Sequence, residues 1–267
     1  SAIITLSEQQ QKEICDIHKI CPKSKSRVVS LGFDLSRFTE DLEAKRKSFR
    51  AKWHIADDTI AIGIVGRVVP IKNHEHYLRC LKSVIDQSDK KIQGVVIGDG
   101  DCTEEMMVYA KNLGLSISSL DVENDGADVI FTSWIKKIDE ANAGLDIMTL
   151  TSLNEGTPVS LIEAQTSELP IVSTSVGGVK DIMLDGKSGY LHELEDEAGF
   201  TESLLKLVDD PEMRRQFGKE GKEFVYEKFS YTRMCSEMAN VYHQLMNDFE
   251  KRNKNQQRNV HRNKLET

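Results

Sequence analysis

The chain has 267 residues, 39% hydrophobic and 29% charged, the balance of a folded protein with apolar mass for a core rather than of a disordered one. With 35 Lys and Arg against 43 Asp and Glu the net charge is −8, which argues against broad nucleic-acid binding and leaves room for an anion held by a local basic cluster. Five scattered cysteines without zinc-ligand spacing suggest reduced thiols in a cytoplasmic protein; no signal-peptide pattern opens the chain, and no apolar run nears the ~20 residues of a membrane helix.

Ser1-Ala2 opens without a Met directly on an apolar run, so a piece of a longer protein is expected. Residues 1–38 predict a strand at Ile3–Leu6, a helix at Glu8–Ile20, a strand at Arg27–Leu31 and a Gly32-Phe33-Asp34 turn. Charged residues 39–58 predict a linker helix. Over 59–250, short Ile- and Val-rich runs at Ile60–Val65, Gln93–Ile97, Asp128–Phe131, Ile147–Leu150 and Pro170–Ser173 read as strands buried on both faces. Between and after them, amphipathic stretches at His74–Asp86, Thr103–Leu113, Ile135–Ala143, Pro158–Ser167 and Val179–Leu184 read as helices. That alternation predicts an α/β fold with a Rossmann-like, doubly wound parallel sheet, followed by a helical end from Asp196 to about Phe249. Lys251–Thr267 carries six Lys or Arg against Glu266 and is expected to be a frayed, solvated tail.

The chemistry-bearing residues gather where strands end. In Thr151-Ser-Leu-Asn-Glu155-Gly156-Thr157-Pro158, Thr157 suits an N-cap and Pro158 the first helical position. The N–H groups of Val159, Ser160 and Leu161 then lack intrahelical acceptors and face outward, as a phosphate site requires. Glu163 follows about 7–8 Å further along the axis, so Glu155 and Glu163 can address different parts of one ligand. After the strand at 60–65, Gly66 permits a turn, and Arg67 and Lys72 bring two cations to the same edge, enough to neutralise a pyrophosphate.

Gly98-Asp99-Gly100-Asp101 is not a dinucleotide fingerprint; its D-x-D reads better as a turn shaping the pocket floor than as a metal site. Trp134 and Ile135 follow a strand end, where the indole either stacks on a base or packs at the rim. Gly177-Gly178 marks one more strand-to-helix loop. His74 and His76 lie two apart, a poor metal pair on a helix, and read as solvated helix-start residues.

Together these residues resemble the family 4 (group 1) glycosyltransferases of the GT-B fold. The likeness runs through Gly66-Arg67…Lys72-Asn73, Val96-Ile-Gly98-Asp-Gly100, Phe131-Thr-Ser133 and Ala143-Gly-Leu-Asp146. It continues through the E-x₇-E pair Glu155…Glu163, Pro170-Ile-Val-Ser-Thr-Ser-Val-Gly177-Gly178 and Asp185-Gly-Lys-Ser-Gly189. The sequence departs from the family pattern at Ser133 and Glu168, where glycines are usual, and at Leu31, where Asn precedes Gly32.

The resemblance implies a C-terminal donor-binding domain, with residues 1–38 a remnant of an N-terminal acceptor domain. It implies a UDP- or GDP-linked sugar as donor substrate, no separate cofactor, no metal, and transfer with retention to a saccharide or lipid-linked acceptor. Arg67 and Lys72 would hold the pyrophosphate with the backbone of Val159 and Ser160. Glu163 would hold the ribose, Glu155, Gly156 and Thr157 would follow the sugar, and the backbone near Trp134 and Ile135 would meet the base. Glu155, Arg67 and Lys72 would carry catalysis. A cytoplasmic place is implied, with peripheral contact at the inner membrane face left open; a non-catalytic nucleotide-sugar-binding module is the alternative.

Overall fold

A computed structural model describes residues 2–122 and 125–265, the side chains of 255–265 excepted. The chain forms two compact units, Ser1–Asp34 with Glu227–Thr267, and Leu35–Tyr226.

In the first unit, β1 (Ile3–Thr5) and β2 (Ser26–Val28) pair in parallel, with Ile3 opposite Ser26. Between them the expected helix is broken into α1 (Glu8–Lys12) and a π-turn at Glu13–Ile17. Ser7 caps α1, accepting from the Gln10 N–H. Gly32 has a packing reason: a Cβ there would lie 2.6 Å from Met234 Cβ. Its neighbours are fastened by Arg233, which donates to the carbonyls of Ser30 and Leu31, each at 2.8 Å.

In the second unit, α2 (Leu42–Lys52) precedes a sheet of seven parallel strands. In chain order its elements are β3 (Ile60–Val65), α3 (His74–Gln87), β4 (Ile92–Ile97), α4 (Thr103–Asn112), β5 (Ile117–Ser119), β6 (Val129–Phe131), α5 (Ile138–Gly144) and β7 (Ile147–Leu150). There follow α6 (Val159–Thr166), β8 (Ile171–Thr174), β9 (Gly189–His192), α7 (Glu197–Asp209) and α8 (Pro211–Phe229), whose end passes into the first unit, where α9 (Tyr231–Leu265) lies. The spatial order is β5-β6-β4-β3-β7-β8-β9. Winding runs outward from β3 through β4, then resumes on the other side at β7, so the topological switch point lies between β3 and β7.

Five of the strands were expected, with bounds shifted by a residue or so at three of them. Strands β5 and β9 were not. Both lie at sheet edges and are half-exposed, so they lack the continuous apolar run that marks a central strand. The helix expected from Ile135 begins at Ile138, because the chain leaves Phe131 through left-handed backbone at Ser133. Val179–Leu184 is no helix but the end of a 3-10 turn at Gly177–Asp181. The basic tail expected to fray is the continuation of α9; no Gly or Pro after Gly221 interrupts it. Glu266 and Thr267 lie outside the described residues.

Helix α2 is bound into the larger unit by an ionic clasp. Arg50, 2% exposed, donates to Asp146 Oδ2 at 2.5 Å and to the carbonyls of Gly144, Ala56 and Thr59. Asp146 also accepts from Arg46 at 2.7 Å and from the Ala61 N–H at 2.8 Å. One carboxylate thus ties α2 to the starts of β3 and β7.

Candidate functional site

The carboxyl ends of β3 and β7 bring the main candidates together. After β3 the chain passes Gly66 and Arg67, makes a 3-10 turn at Pro70–Lys72, and enters α3 through left-handed Asn73. After β7, Thr151 donates its hydroxyl to the carbonyls of Lys72 at 3.0 Å and Asn73 at 2.9 Å. The Leu153 N–H donates to the Ile71 carbonyl at 2.8 Å. These bonds lace one loop to the other and leave Lys72 facing Glu155. Glu155 Oε1 accepts from Lys72 Nζ at 2.5 Å and from Ser152 Oγ at 2.6 Å. Ser152 is fully buried, so the carboxylate is held from below by a fixed hydroxyl. Arg67 stands exposed at the same edge, with no ion pair among the described residues.

The loop after β8 closes on Glu155 from the other side. The Gly178 N–H donates to the Glu155 carbonyl at 3.2 Å. Gly177 has φ +50°, and a Cβ there would sit 1.9 Å from that same carbonyl oxygen; one at Gly178 would sit 2.0 Å from the oxygen of Gly156. The paired glycines are therefore needed for two loops to pass backbone against backbone.

Helix α6 starts one residue later than expected. Pro158, with φ −73° and ψ 96°, is the cap, and Thr157 does not cap. The physical reason is in the ladder: the Pro158 carbonyl already accepts from the Leu161 N–H at 3.1 Å, so Leu161, expected to lack an acceptor, has one. Among the described residues no side-chain hydrogen bond caps the helix start, which leaves the Val159 and Ser160 N–H groups without an acceptor from the cap. Glu163, one turn further, is half-buried and pairs at 3.4 Å with Arg37, from a 3-10 turn 126 residues away. Burial raises the Glu163 carboxyl above the usual range, and Arg37 opposes that shift. Arg37 and Ser152 escaped the sequence reading. Nothing in local pattern marks Arg37, and Ser152 is a serine in a loop.

The Asp99-Gly100-Asp101 segment is the expected turn. Asp99 Oδ1 accepts from the Gly100 N–H at 2.7 Å and Thr103 Oγ1 at 3.0 Å, and Oδ2 accepts from Ser133 Oγ at 3.0 Å. Those donors, the Gly100 N–H first, hold the Asp99 carboxyl below its usual range. Trp134 projects beside this turn, 65% exposed, with Ile135 half-buried after it.

The profile of the family described as glycosyl transferases group 1 matches residues 45–224. The chain belongs to that family. It is 26% identical over 178 residues to N-acetyl-alpha-D-glucosaminyl L-malate synthase of Bacillus anthracis, covering 67% of this chain and 44% of that protein. It is 25% identical over 208 residues to the UDP-Gal:alpha-D-GlcNAc-diphosphoundecaprenol alpha-1,3-galactosyltransferase of Escherichia coli, covering 75% and 50%. Among solved structures, Anabaena Alr3699/HepE in complex with UDP matches at TM-score 0.76 and 18% identity, covering 91% of this chain and 64% of that one. WaaG, a glycosyltransferase involved in lipopolysaccharide biosynthesis, matches at 0.73 and 19%, covering 89% and 61%. The fold is that of GT-B glycosyltransferases, and the chain spans under two thirds of each of these relatives.

Two departures from the group 1 pattern now have a structural meaning. Ser133 has φ +56° and Glu168 φ +62°, the left-handed region that glycine enters without cost. Ser133 gains the Asp99 hydrogen bond in exchange. Glu168 gains only a solvent-facing pair with Lys222 at 2.7 Å. Glu168→Gly is therefore expected to stabilise the protein by about 0.5–1 kcal/mol, the relieved backbone strain outweighing the greater freedom of unfolded glycine. The urea midpoint should rise for Gly and not for Ala.

His74 and His76, expected to be solvated, are 3% and 1% exposed. The first turn of α3 turns them inward: His76 packs tilted against Phe200 with centroids 5.1 Å apart, and His74 lines a cavity of about 310 Å³ with Val68, Asn73, Cys102 and Met106. Burial, aided by nearby Lys72, lowers the His74 pKa to about 4. Because the folded value lies below the unfolded one, near 6.5, the unfolded chain takes up the proton first. Stability is then full above pH 6.5 and falls as the pH drops toward 4, by about 2 kcal/mol between pH 8 and pH 5. His74→Phe should flatten that limb in urea unfolding at the two pH values.

Proposed function

We propose that this chain is the donor half of a retaining glycosyltransferase that works without a bound metal and uses a UDP- or GDP-linked sugar. The observation that carries this is the Lys72–Glu155–Ser152 cluster at the switch point between β3 and β7, with exposed Arg67 just after β3. Departure of a nucleoside diphosphate builds negative charge on its oxygens while the sugar gains oxocarbenium character. Lys72, Arg67 and the uncapped start of α6 suit the first, and Glu155, fixed at one oxygen, offers its other to the sugar. Glu163, poised with Arg37 on the second turn of α6, suits the ribose hydroxyls, and Gly156, Thr157, Trp134 and Ile135 complete the sugar and base ends.

The acceptor, a saccharide or a lipid-linked saccharide, would be met on an N-terminal domain beyond these residues. The relative from Escherichia coli, whose name carries a diphosphoundecaprenol substrate, lends support to a lipid-linked acceptor. Among the described residues no helix is long and apolar enough to cross a membrane.

Calorimetric titration with UDP, GDP and ADP, then with UDP- and GDP-sugars, tests the reading. Binding of a uridine or guanosine diphosphate by the isolated chain, with little or no transfer to sugar acceptors, is expected. Absence of binding at millimolar nucleotide would overturn the donor assignment, and appreciable transfer by this chain alone would overturn the division of labour.

A further inference from the structure

In the first unit the Sγ atoms of Cys15 and Cys21 lie 3.7 Å apart. Both residues are 9% exposed, and the five residues between them, Asp16 to Ile20, are all exposed. Cys15 sits in the π-turn at Glu13–Ile17, a widened helical turn that rotates its side chain out of the ordinary register. The backbone then reverses through Lys19, at φ +51°, and the Ile20 N–H donates to the Ile14 carbonyl at 2.9 Å, which sets Cys21 beside Cys15. The other three cysteines differ. Cys80 is fully buried at the core with no second cysteine against it, Cys102 is half-buried in a loop, and Cys235 is exposed on α9.

We infer that Cys15 and Cys21 form a reversible thiol–disulfide site, oxidised by small-molecule disulfides such as oxidised glutathione. A disulfide needs its sulfurs at about 2.05 Å, so the pair closes by rotation of the two side chains about their Cα–Cβ bonds together with whatever shift the exposed loop between them takes up. The steps balance. One cysteine, as thiolate, attacks the small disulfide, forming a mixed disulfide and releasing one small thiol that carries away the proton. The second cysteine then attacks the protein sulfur of that mixed disulfide, forming the Cys15–Cys21 bond and releasing a second small thiol.

Both thiols lie just under an exposed loop, so local opening of that loop suffices for the first attack. Burial and the neighbouring Cys15 raise the Cys21 thiol above its usual value, so exchange is expected to be slow at neutral pH and faster at pH 8–9. The crosslink closes around a knuckle carrying Ile17 and Ile20, 63% and 66% exposed, and so fixes the shape of an apolar exposed loop.

The experiment uses the whole chain, incubated at pH 8.5 in graded ratios of reduced to oxidised glutathione, then denatured with an alkylating agent and cut with trypsin. Cleavage at Lys12, Lys19 and Lys23 places the two cysteines on separate peptides, 13–19 and 20–23, joined only if the disulfide has formed. The expected result is loss of 2 Da and a joined 13–19/20–23 peptide that replaces both alkylated peptides in most of the population, reversed by dithiothreitol. Cys80 should stay alkylatable throughout. Both peptides remaining alkylated, each carrying glutathione instead, or either pairing with Cys102 or Cys235 would overturn the inference. The outcome is independent of nucleotide binding.

Discussion

Replacing Arg67 and Lys72 together by alanine is expected to weaken UDP or GDP binding at least a hundredfold while the fold survives. Each cation offers charge-assisted hydrogen bonds to a diphosphate, worth about 1.5–3 kcal/mol apiece, and every 1.4 kcal/mol is a factor of ten. Arg67 is exposed and has no ion pair among the described residues, so its removal costs the folded state little. Lys72 is different. It neutralises Glu155, whose side chain is only 10% exposed, and its loss leaves that carboxylate with Ser152 as its remaining side-chain donor among the described residues. An uncompensated carboxylate there repels a diphosphate as well as failing to attract it. The single variants should therefore differ, Lys72→Ala losing more affinity than Arg67→Ala. Titration calorimetry, with circular dichroism as the folding control, reads both. A loss of less than tenfold in the double variant would place the diphosphate elsewhere.

Asp146→Ala is expected to cost about 3–5 kcal/mol of stability. The variant would leave the Arg50 guanidinium charged, 2% exposed, and without its counter-ion. Burial already lowers the Arg50 pKa, with Asp146 the main opposing influence, but a guanidinium keeps its proton at any ordinary pH. The Ala61 N–H at the start of β3 would lose its acceptor as well. Urea unfolding followed by Trp53, next after α2, reads the effect in a Trp134→Phe background. In a double-mutant cycle, Arg50→Met should recover part of the loss, because it removes the stranded charge. If Asp146→Ala shifts stability by less than about 1 kcal/mol, the clasp is not what holds α2 to the sheet.

These two predictions rest on residues that were visible to very different degrees. Lys72, Glu155 and Arg67 stood out because chemistry in an open α/β sheet collects at the carboxyl ends of strands, and the Ile- and Val-rich runs before them mark those ends. Asp146 was noticed only as part of a motif; nothing local shows that its partners are arginines nearly a hundred positions earlier. Arg37 was missed for the same reason, since its pairing with Glu163 spans 126 residues.

By itself the sequence determined the parallel, doubly wound core and the sheet edge at which the candidate charged residues gather, because central strands must be apolar on both faces and helix starts leave N–H groups unpaired. Tertiary structure alone decided the half-exposed edge strands, the inward turn of His74 and His76, and the left-handed backbone at Ser133 and Glu168. It also decided which oxygen of Glu155 is taken. Those features depend on what lies across from a residue in space, and contacts between distant segments leave no period or spacing in the chain to read.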